Sequence, residues 1–310
     1  MDHFHHIMET IKFPYYERKS IKTTKLIGSG YIGNVYEGII NNKDCIIKCI
    51  NNNNYYDDVK ETMFYQDVID EIIINQKCNS NYQIKFYGYS VKQTEKDIIL
   101  YILMEKTSAI GDLHKYIYQD KFWKQLSKNE YKLSNSNTKI YNDKYYYDYI
   151  MPINHKYKII YAMCFAVNDL HTYNIVHCDL KLNNMLYVND HIKLIDYNAS
   201  VDLKDNSEII GKTEQGTPGY MAKEMYRGLI TYSADIYSLG VCILEVWFGD
   251  IWPTNTHRYD KGRKYILDYL SLLKNDNPQL YLIVKQCTHV NHTKRPTINK
   301  LINSIKLLMN

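Results

Sequence analysis

A chain of 310 residues, 45 % hydrophobic and 23 % charged, has an ordinary globular composition and enough length to bury a sizeable core, in two modest lobes or one large domain. A net charge of +4 is too small to demand a nucleic-acid partner, and none is expected. The longest apolar stretch, LGVCILEVWFG at 239–249, is interrupted by Glu245 and falls well short of the ~20 residues needed to cross a bilayer, so no membrane insertion is expected.

The first ten residues, MDHFHHIMET, carry neither a basic n-region nor an apolar h-region, and nothing there marks the chain for secretion. The seven cysteines are an odd number with no C-x-x-C pair and no zinc-like spacing. They fit free thiols in a reducing compartment, and the protein is expected to be intracellular, in the cytoplasm.

Residues 1–20 read as an N-terminal extension, a mobile tail. Its His3, His5 and His6 have no carboxylate or cysteine at a matching spacing for a metal. From Ile21 to Ile50, β-branched and apolar residues surround glycines and an Asn-Asn-Lys-Asp turn, which predicts strands. DVKETMFYQDVIDEIIINQK then predicts a helix, and IKFYGYSV and DIILYILME predict further strands. After IGDLHKYI the pattern turns mostly helical. Residues 119–151 lack a steady period, are rich in Asn, Lys, Ser and Tyr, and read as an inserted surface loop. NHKYKIIYAMCFAVNDLH resumes helical spacing, with Ile159, Met163, Ala166, Val167 and Leu170 on one face and Asn154 as N-cap.

Gly28-Ser29-Gly30-Tyr31-Ile32-Gly33-Asn34-Val35 is G-x-G-x-x-G-x-V, which alone also suits a dinucleotide-binding turn. Here VYEGII continues as strand rather than opening a helix, and a glycine hairpin folded over phosphates fits better. Glycine lets backbone N–H groups approach phosphate oxygens. Lys48 lies within an apolar strand, where a lone ammonium is costly to bury. Glu71 is one candidate partner and a bound phosphate another; a lysine snorkelling to the surface is the plain alternative. Downstream, HCDLKLNN at 177–184 is followed twelve residues after Asn184 by Asp196 in LIDYN. An acid and an amide meeting across a short hairpin supply oxygen ligands suited to Mg²⁺.

The glycine loop, CIIK, HCDLKLNN, DYN, GTPGYMAKE at 216–224, SADIYSLG at 233–240 and KRPT at 294–297 occur in an order that resembles the eukaryotic-type protein kinases, over residues 21–310. The resemblance implies an α+β, two-lobed fold. Its small antiparallel β lobe with one helix would span 21–104, its larger, mainly helical lobe 105–310, and ATP would lie between them. Gly28, Gly30, Gly33 and Val35 would then cover the nucleotide. Lys48 would hold the α- and β-phosphates and pair with Glu71. Asn184 and Asp196 would hold Mg²⁺, for which Mn²⁺ is a possible substitute. Asp179 would accept or orient the acceptor's proton, and Lys181 would offset charge on the γ-phosphoryl group. Met104 falls where the lobes join, the backbone from Glu105 to Thr107 would meet adenine, and Asp112 would lie near the ribose. Glu224 with Arg295 would form a buried ion pair, and Asp235 would support the catalytic loop.

Lys181 and GTPGY resemble serine/threonine rather than tyrosine kinases, so the implied partners are protein substrates with Ser or Thr acceptors, and Thr217 would line the acceptor site. Oligomeric state is left open. The chain departs from the family pattern at five positions. Cys178 replaces an arginine that pairs with a phosphorylated loop residue, which predicts activity independent of loop phosphorylation at Ser207 or Thr213. Asn198 replaces a glycine, predicting a left-handed and somewhat strained residue there. Tyr197 replaces Phe, Lys223 replaces Pro, and Asn75 is polar where an apolar residue is common. Glu245 is read as favouring basic residues in a substrate. A serine/threonine kinase is the favoured reading and a pseudokinase the alternative; GTPGYMAKE and KRPT speak against a small-molecule kinase.

Overall fold

In the computed structural model, which describes residues 14–29, 33–51, 58–93, 98–109, 111–126, 139–141, 145–211, 216–249, 251 and 259–309, the chain divides into two compact units. The first holds the described residues up to Ser108 together with Asp196–Asn198; the second holds Ala109–Ile195 and the chain from Ala199 onward. The expected α+β organisation is present, with a sheet and one long helix in the first unit and mainly helices in the second.

The first unit contains β1 (Ile21–Ser29), β2 (Gly33–Ile40), β3 (Lys43–Asn51), α1 (Asp58–Lys77), β4 (Phe86–Gln93) and β5 (Ile98–Glu105). All neighbours in the sheet, ordered β1-β2-β3-β5-β4, pair antiparallel. Asn41 and Asn42 turn β2 into β3 with φ of 46° and 63°, a left-handed pair that suits the twist of a two-residue hairpin. The period of two in β3 then assigns its faces. Ile50 packs with Val68, Ile69 and Ile72 of α1 and with Leu100 and Ile102 of β5. Cys45 and Ile47 pack on the opposite face with Tyr101 and Leu103. Lys48 shares the parity of Ile50, and so it is directed to the side covered by α1.

The part of the N-terminal extension that is described does not behave as a tail. Tyr15 bridges Tyr89, the Tyr16 and Tyr89 N–H groups bond to Tyr89 and Pro14 carbonyls at 2.9 Å, and the Arg18 guanidinium lies 4.8 Å from the Tyr101 ring centre. Gly88 makes room for this segment, because a Cβ there would meet the Pro14 carbonyl oxygen at 2.3 Å. His3, His5 and His6 lie outside the described residues.

The second unit opens with α2 (Leu113–Ile117) and a three-stranded antiparallel sheet of β6 (Trp123–Leu126), β7 (Lys139–Tyr141) and β8 (Tyr145–Tyr149), ordered β6-β8-β7. The segment read as a surface loop therefore carries strands; tyrosine runs that show no clean alternation still favour pleated backbone. Its end is anchored, because the buried Tyr149 hydroxyl donates to the Val246 carbonyl at 3.1 Å.

Helix α3 (Ile153–Thr172) buries all five residues of its predicted face, but Pro152 rather than Asn154 occupies the N-cap. The ring holds φ at −58° there while ψ of 139° is extended, and no side chain caps the helix. Short strands follow: β9 (Ile175–Val176), the hairpin β10 (Met185–Val188) and β11 (His191–Leu194), β12 (Val201–Asp202), β13 (Glu208–Ile210) and β14 (Leu229–Thr231). Helices α4 (Tyr232–Phe248), α5 (Tyr259–Asp276), α6 (Pro278–Cys287) and α7 (Ile298–Leu308) complete the unit. The apolar stretch at 239–249 belongs to α4, whose residues Ala234–Phe248 are all buried, as expected for a helix apolar on every side. Among the described residues no helix is long and apolar enough to cross a membrane.

Glu224 and Arg295 form the ion pair expected of them: Arg295 Nη1 and Nη2 donate to Glu224 Oε1 and Oε2 at 2.5 and 3.0 Å, and both residues are buried. Arg295 Nη1 and Nε also bond the Ser233 and His289 carbonyls, so one guanidinium ties three segments. Arg295→Leu leaves a buried carboxylate uncompensated and is expected to lower the unfolding free energy by about 3–5 kcal/mol in urea titrations. The double variant with Glu224→Leu is expected to regain only part of that loss, because the Ser233 and His289 carbonyls still lose their donor.

Candidate active site

The first unit supplies a cluster of three charges. Lys48 Nζ lies 2.7 Å from Glu71 Oε1 and 3.0 Å from Asp196 Oδ1. Glu71 reaches it because Val68, Glu71, Ile72 and Asn75 recur at helical spacing along the buried face of α1. Asn75 does not disturb that register; its Nδ2 donates back to the Glu71 carbonyl at 2.8 Å. Burial works against the Lys48 ammonium, but the Glu71 and Asp196 carboxylates outweigh it and hold its pKa above the usual lysine value. Burial raises the Glu71 pKa; Lys48 opposes that rise and the Asp196 charge adds to it. One ammonium thus serves two carboxylates, leaving one negative charge in excess.

Asp196, rather than Asn198, is the left-handed residue of its turn, with φ 66°. The strain expected at the glycine-replacing Asn198 falls two residues earlier. Asn198 instead donates Nδ2 to Asp196 Oδ1 at 2.6 Å. Tyr197 between them is buried, and its hydroxyl donates to Gln83 Oε1 at 2.5 Å.

The second unit builds a separate polar cluster on the loop between β9 and β10. Asp179 Oδ1 accepts from Thr217 Oγ1 at 2.6 Å, and Oδ2 accepts from Lys181 Nζ at 2.7 Å and Asn184 Nδ2 at 3.0 Å. Lys181 Nζ also donates to Thr217 Oγ1 at 2.7 Å, closing a ring of carboxylate, ammonium and hydroxyl. Asn184 Nδ2 bonds the Asp179 carbonyl as well, at 2.8 Å. The β10–β11 hairpin turns through Asn189 and Asp190 with φ of 49° and 62°, and the Ile195 N–H reaches the Asn184 carbonyl at 3.1 Å.

The loop is held from below by Asp235, near the start of α4 and fully buried. Its carboxylate accepts the His177 and Cys178 backbone N–H groups at 2.9 and 3.0 Å and meets His171 Nε2 at 2.9 Å. Cys178 takes φ 65°, an uncommon angle for a residue with a Cβ, which those bonds help to impose. The Ser200 hydroxyl bonds the His177 carbonyl at 3.1 Å, and the His177 ring meets the Ile195 carbonyl at 3.2 Å.

Gly30 lies outside the described residues. Gly28 has only the Val35 Cβ near its own absent side chain, at 3.9 Å, whereas a Cβ on Gly33 would meet the Cys49 carbonyl oxygen at 2.1 Å. Close approach of β2 to β3 is therefore reason enough for glycine at 33. Val35 pairs with Lys48 across β2 and β3. Met104 and Glu105 end β5, and the Glu105 N–H already bonds the Lys85 carbonyl at 2.9 Å. Thr107 follows β5 and is half-buried. Asp112 is the N-cap of α2, its Oδ1 accepting the Lys115 N–H at 2.8 Å. Glu245 is buried beneath the Tyr220 hydroxyl, which donates to it at 2.8 Å; a carboxylate so enclosed does not present its charge to a basic peptide at the surface. Gln83 carried no signal in the sequence, since its partner is 114 residues away.

A family model described as "Protein kinase domain" matches residues 21–305. A serine/threonine-protein kinase of Encephalitozoon cuniculi is 30% identical over 150 residues, 46% of this chain and 25% of that protein. Two probable serine/threonine-protein kinases of Dictyostelium discoideum are each 26% identical, one over 302 residues (95% of this chain, 28% of the relative) and one over 299 (92% and 36%). The chain spans about a quarter to a third of the length of these relatives.

All seven cysteines are free, and burial suppresses the thiolate of most of them. It pushes Cys45 and Cys49 up to about 11, with Asp44 adding to the effect at Cys45, and Cys287 up to about 12; Cys178 is also raised, by burial and by Asp235 and Asp179. At pH 8, mass-spectrometric mapping of iodoacetamide labelling is expected to show Cys45 and Cys49 reacting roughly a hundredfold more slowly in the native chain than in the unfolded one. Because these folded-state values are raised, the stability they contribute is complete below the ordinary thiol range and is lost as pH rises through the folded values.

Proposed function

Because the chain belongs to the protein kinase domain family, we propose that it catalyses ATP-dependent phosphoryl transfer to serine and threonine hydroxyls of protein substrates. The observation that carries this reading is the seating of an alcohol oxygen, Thr217 Oγ1, within 2.7 Å of both Asp179 Oδ1 and Lys181 Nζ. The same carboxylate and ammonium suit an acceptor hydroxyl: Asp179 takes or orients its proton, and Lys181 offsets charge on the transferred group. Serine/threonine kinases among the relatives support the choice of acceptor.

Lys48, held charged by Glu71, is assigned to the α- and β-phosphates. Gly28, Gly30, Gly33 and Val35 are assigned to covering the nucleotide, Met104 and the backbone from Glu105 to Thr107 to adenine, and Asp112 to the ribose. Asn184 and Asp196 would hold Mg²⁺, or Mn²⁺. The donor chemistry fits, since Asn184 turns its amide nitrogen to Asp179 and leaves the amide oxygen as a hard donor, while the Lys48 cluster carries one excess negative charge. Phosphate and water would complete the hard-donor shell that such an ion prefers. When bound, the ion would neutralise phosphate charge. The free cysteines support an intracellular setting.

The hydrogen-bonding of Asp235 to the Cys178 N–H supports a loop that is set without a phosphorylated residue, since a buried neutral thiol offers no cation for one. Thr213 lies outside the described residues. In a radiolabelled ATP/Mg²⁺ transfer assay on generic protein substrates, Asp179→Asn and Lys48→Met are each expected to lower incorporation by about 10²–10⁴-fold. Ser207→Ala, at an exposed position, is expected to stay within about twofold of the parent. Equal incorporation by the parent chain and both site variants would overturn the catalytic reading in favour of a pseudokinase.

A further inference from the structure

The geometry points to Gln83 as a positioning residue that holds Asp196 in place through the hydroxyl of Tyr197. Three consecutive residues, Asp196–Asn198, belong by their packing to the first unit although the chain on both sides of them belongs to the second. Something must fasten so short a segment. Asp196 makes the demand sharper, because φ 66° is a conformation that a residue with a Cβ keeps only when its surroundings over-determine it.

The ion pair to Lys48 is one fastening, but its Asp196 side chain is 39 % exposed, and water weakens it. The Tyr197 anchor is different in kind. Tyr197 is 1 % exposed and Gln83 fully buried, on the segment between α1 and β4, and the hydroxyl-to-amide bond joins them inside the first unit. A phenylalanine, which the kinase resemblance places at 197, would need no such partner. A buried tyrosine hydroxyl does, because an unsatisfied polar group in the interior is costly, and that cost makes the anchor selective for one placement of the ring. Since residues 196 and 197 share a peptide plane, fixing the ring fixes the backbone that aims the Asp196 carboxylate at Lys48. Asn198 Nδ2 on Asp196 Oδ1 then sets the carboxylate's rotation.

The test is a double-variant cycle with Tyr197→Phe, Gln83→Leu and the two combined, read first by amide hydrogen exchange on the full chain without nucleotide. Each single variant removes the Tyr197–Gln83 hydrogen bond, and exchange over residues 195–200 is expected to accelerate on the order of tenfold while α3 exchanges as in the parent. The combined variant loses the same one bond and is expected to exchange within about threefold of either single variant. The second arm rests on the phosphoryl-transfer reading: the Mg²⁺ concentration giving half-maximal transfer should rise about tenfold in each single variant and no further in the combined one, a shift that a loss of stability alone would not produce.

Unchanged exchange at 195–200 in the mild Tyr197→Phe variant, or a combined variant whose defect is the product of the two single ones, would overturn the assignment. A parent chain that transfers no phosphate defeats the catalytic reading and leaves the exchange arm to decide the role of Gln83 alone.

Discussion

One buried ammonium sets the terms for the first unit. The pleat of β3 directs Lys48 to the face that α1 covers, and an ammonium in that position must be paired or lose its charge. Glu71 satisfies it from the helix and Asp196 from a distant part of the chain. The pair therefore fixes the rotation of α1 about its axis, since turning the helix by one residue would replace Glu71 with an isoleucine or an aspartate facing solvent. Asp196 is one of three residues that belong to the first unit although the chain on both sides of them belongs to the second.

The second unit solves a comparable problem with a carboxylate. Asp235 is enclosed completely, yet its oxygens accept from two backbone N–H groups and an imidazole nitrogen. That arrangement converts a charge that would be costly into an anchor for the loop carrying Asp179. It also accounts for Cys178. The residue sits at a left-handed angle with its thiol buried beside two acids, surroundings in which a small neutral side chain stays protonated. Above it, Asp179, Lys181, Asn184 and Thr217 hydrogen-bond one another, which fixes the orientation of the carboxylate and the ammonium.

Much of this was legible in the residues. Parity and helical spacing gave the strands of the first unit, α1 and the buried face of α3, and the ordered motifs named the residues that cluster around Lys48 and around Asp179. What escaped reading has physical causes. The strands within 119–151 hide in tyrosine and lysine runs whose alternation is blurred, and the bridge of Tyr15 to Tyr89 depends on space left by a single glycine. Left-handed strain appeared at Asp196 rather than Asn198 because backbone angles answer to the hydrogen bonds around a turn, of which residue type is only one part.

By itself the amino-acid order determined which side chains are available at each periodic position, hence the sheet, the helices and the identity of the acids, amides and amines in the two clusters. Only the tertiary structure decided that Gln83 meets Tyr197, that Asp112 caps a helix, and that Glu245 is enclosed under Tyr220. The reason is one of range. Periodicity is a local property set by backbone geometry, whereas a buried polar atom takes whichever partner the packed chain brings within about 3 Å, without regard to separation along the sequence.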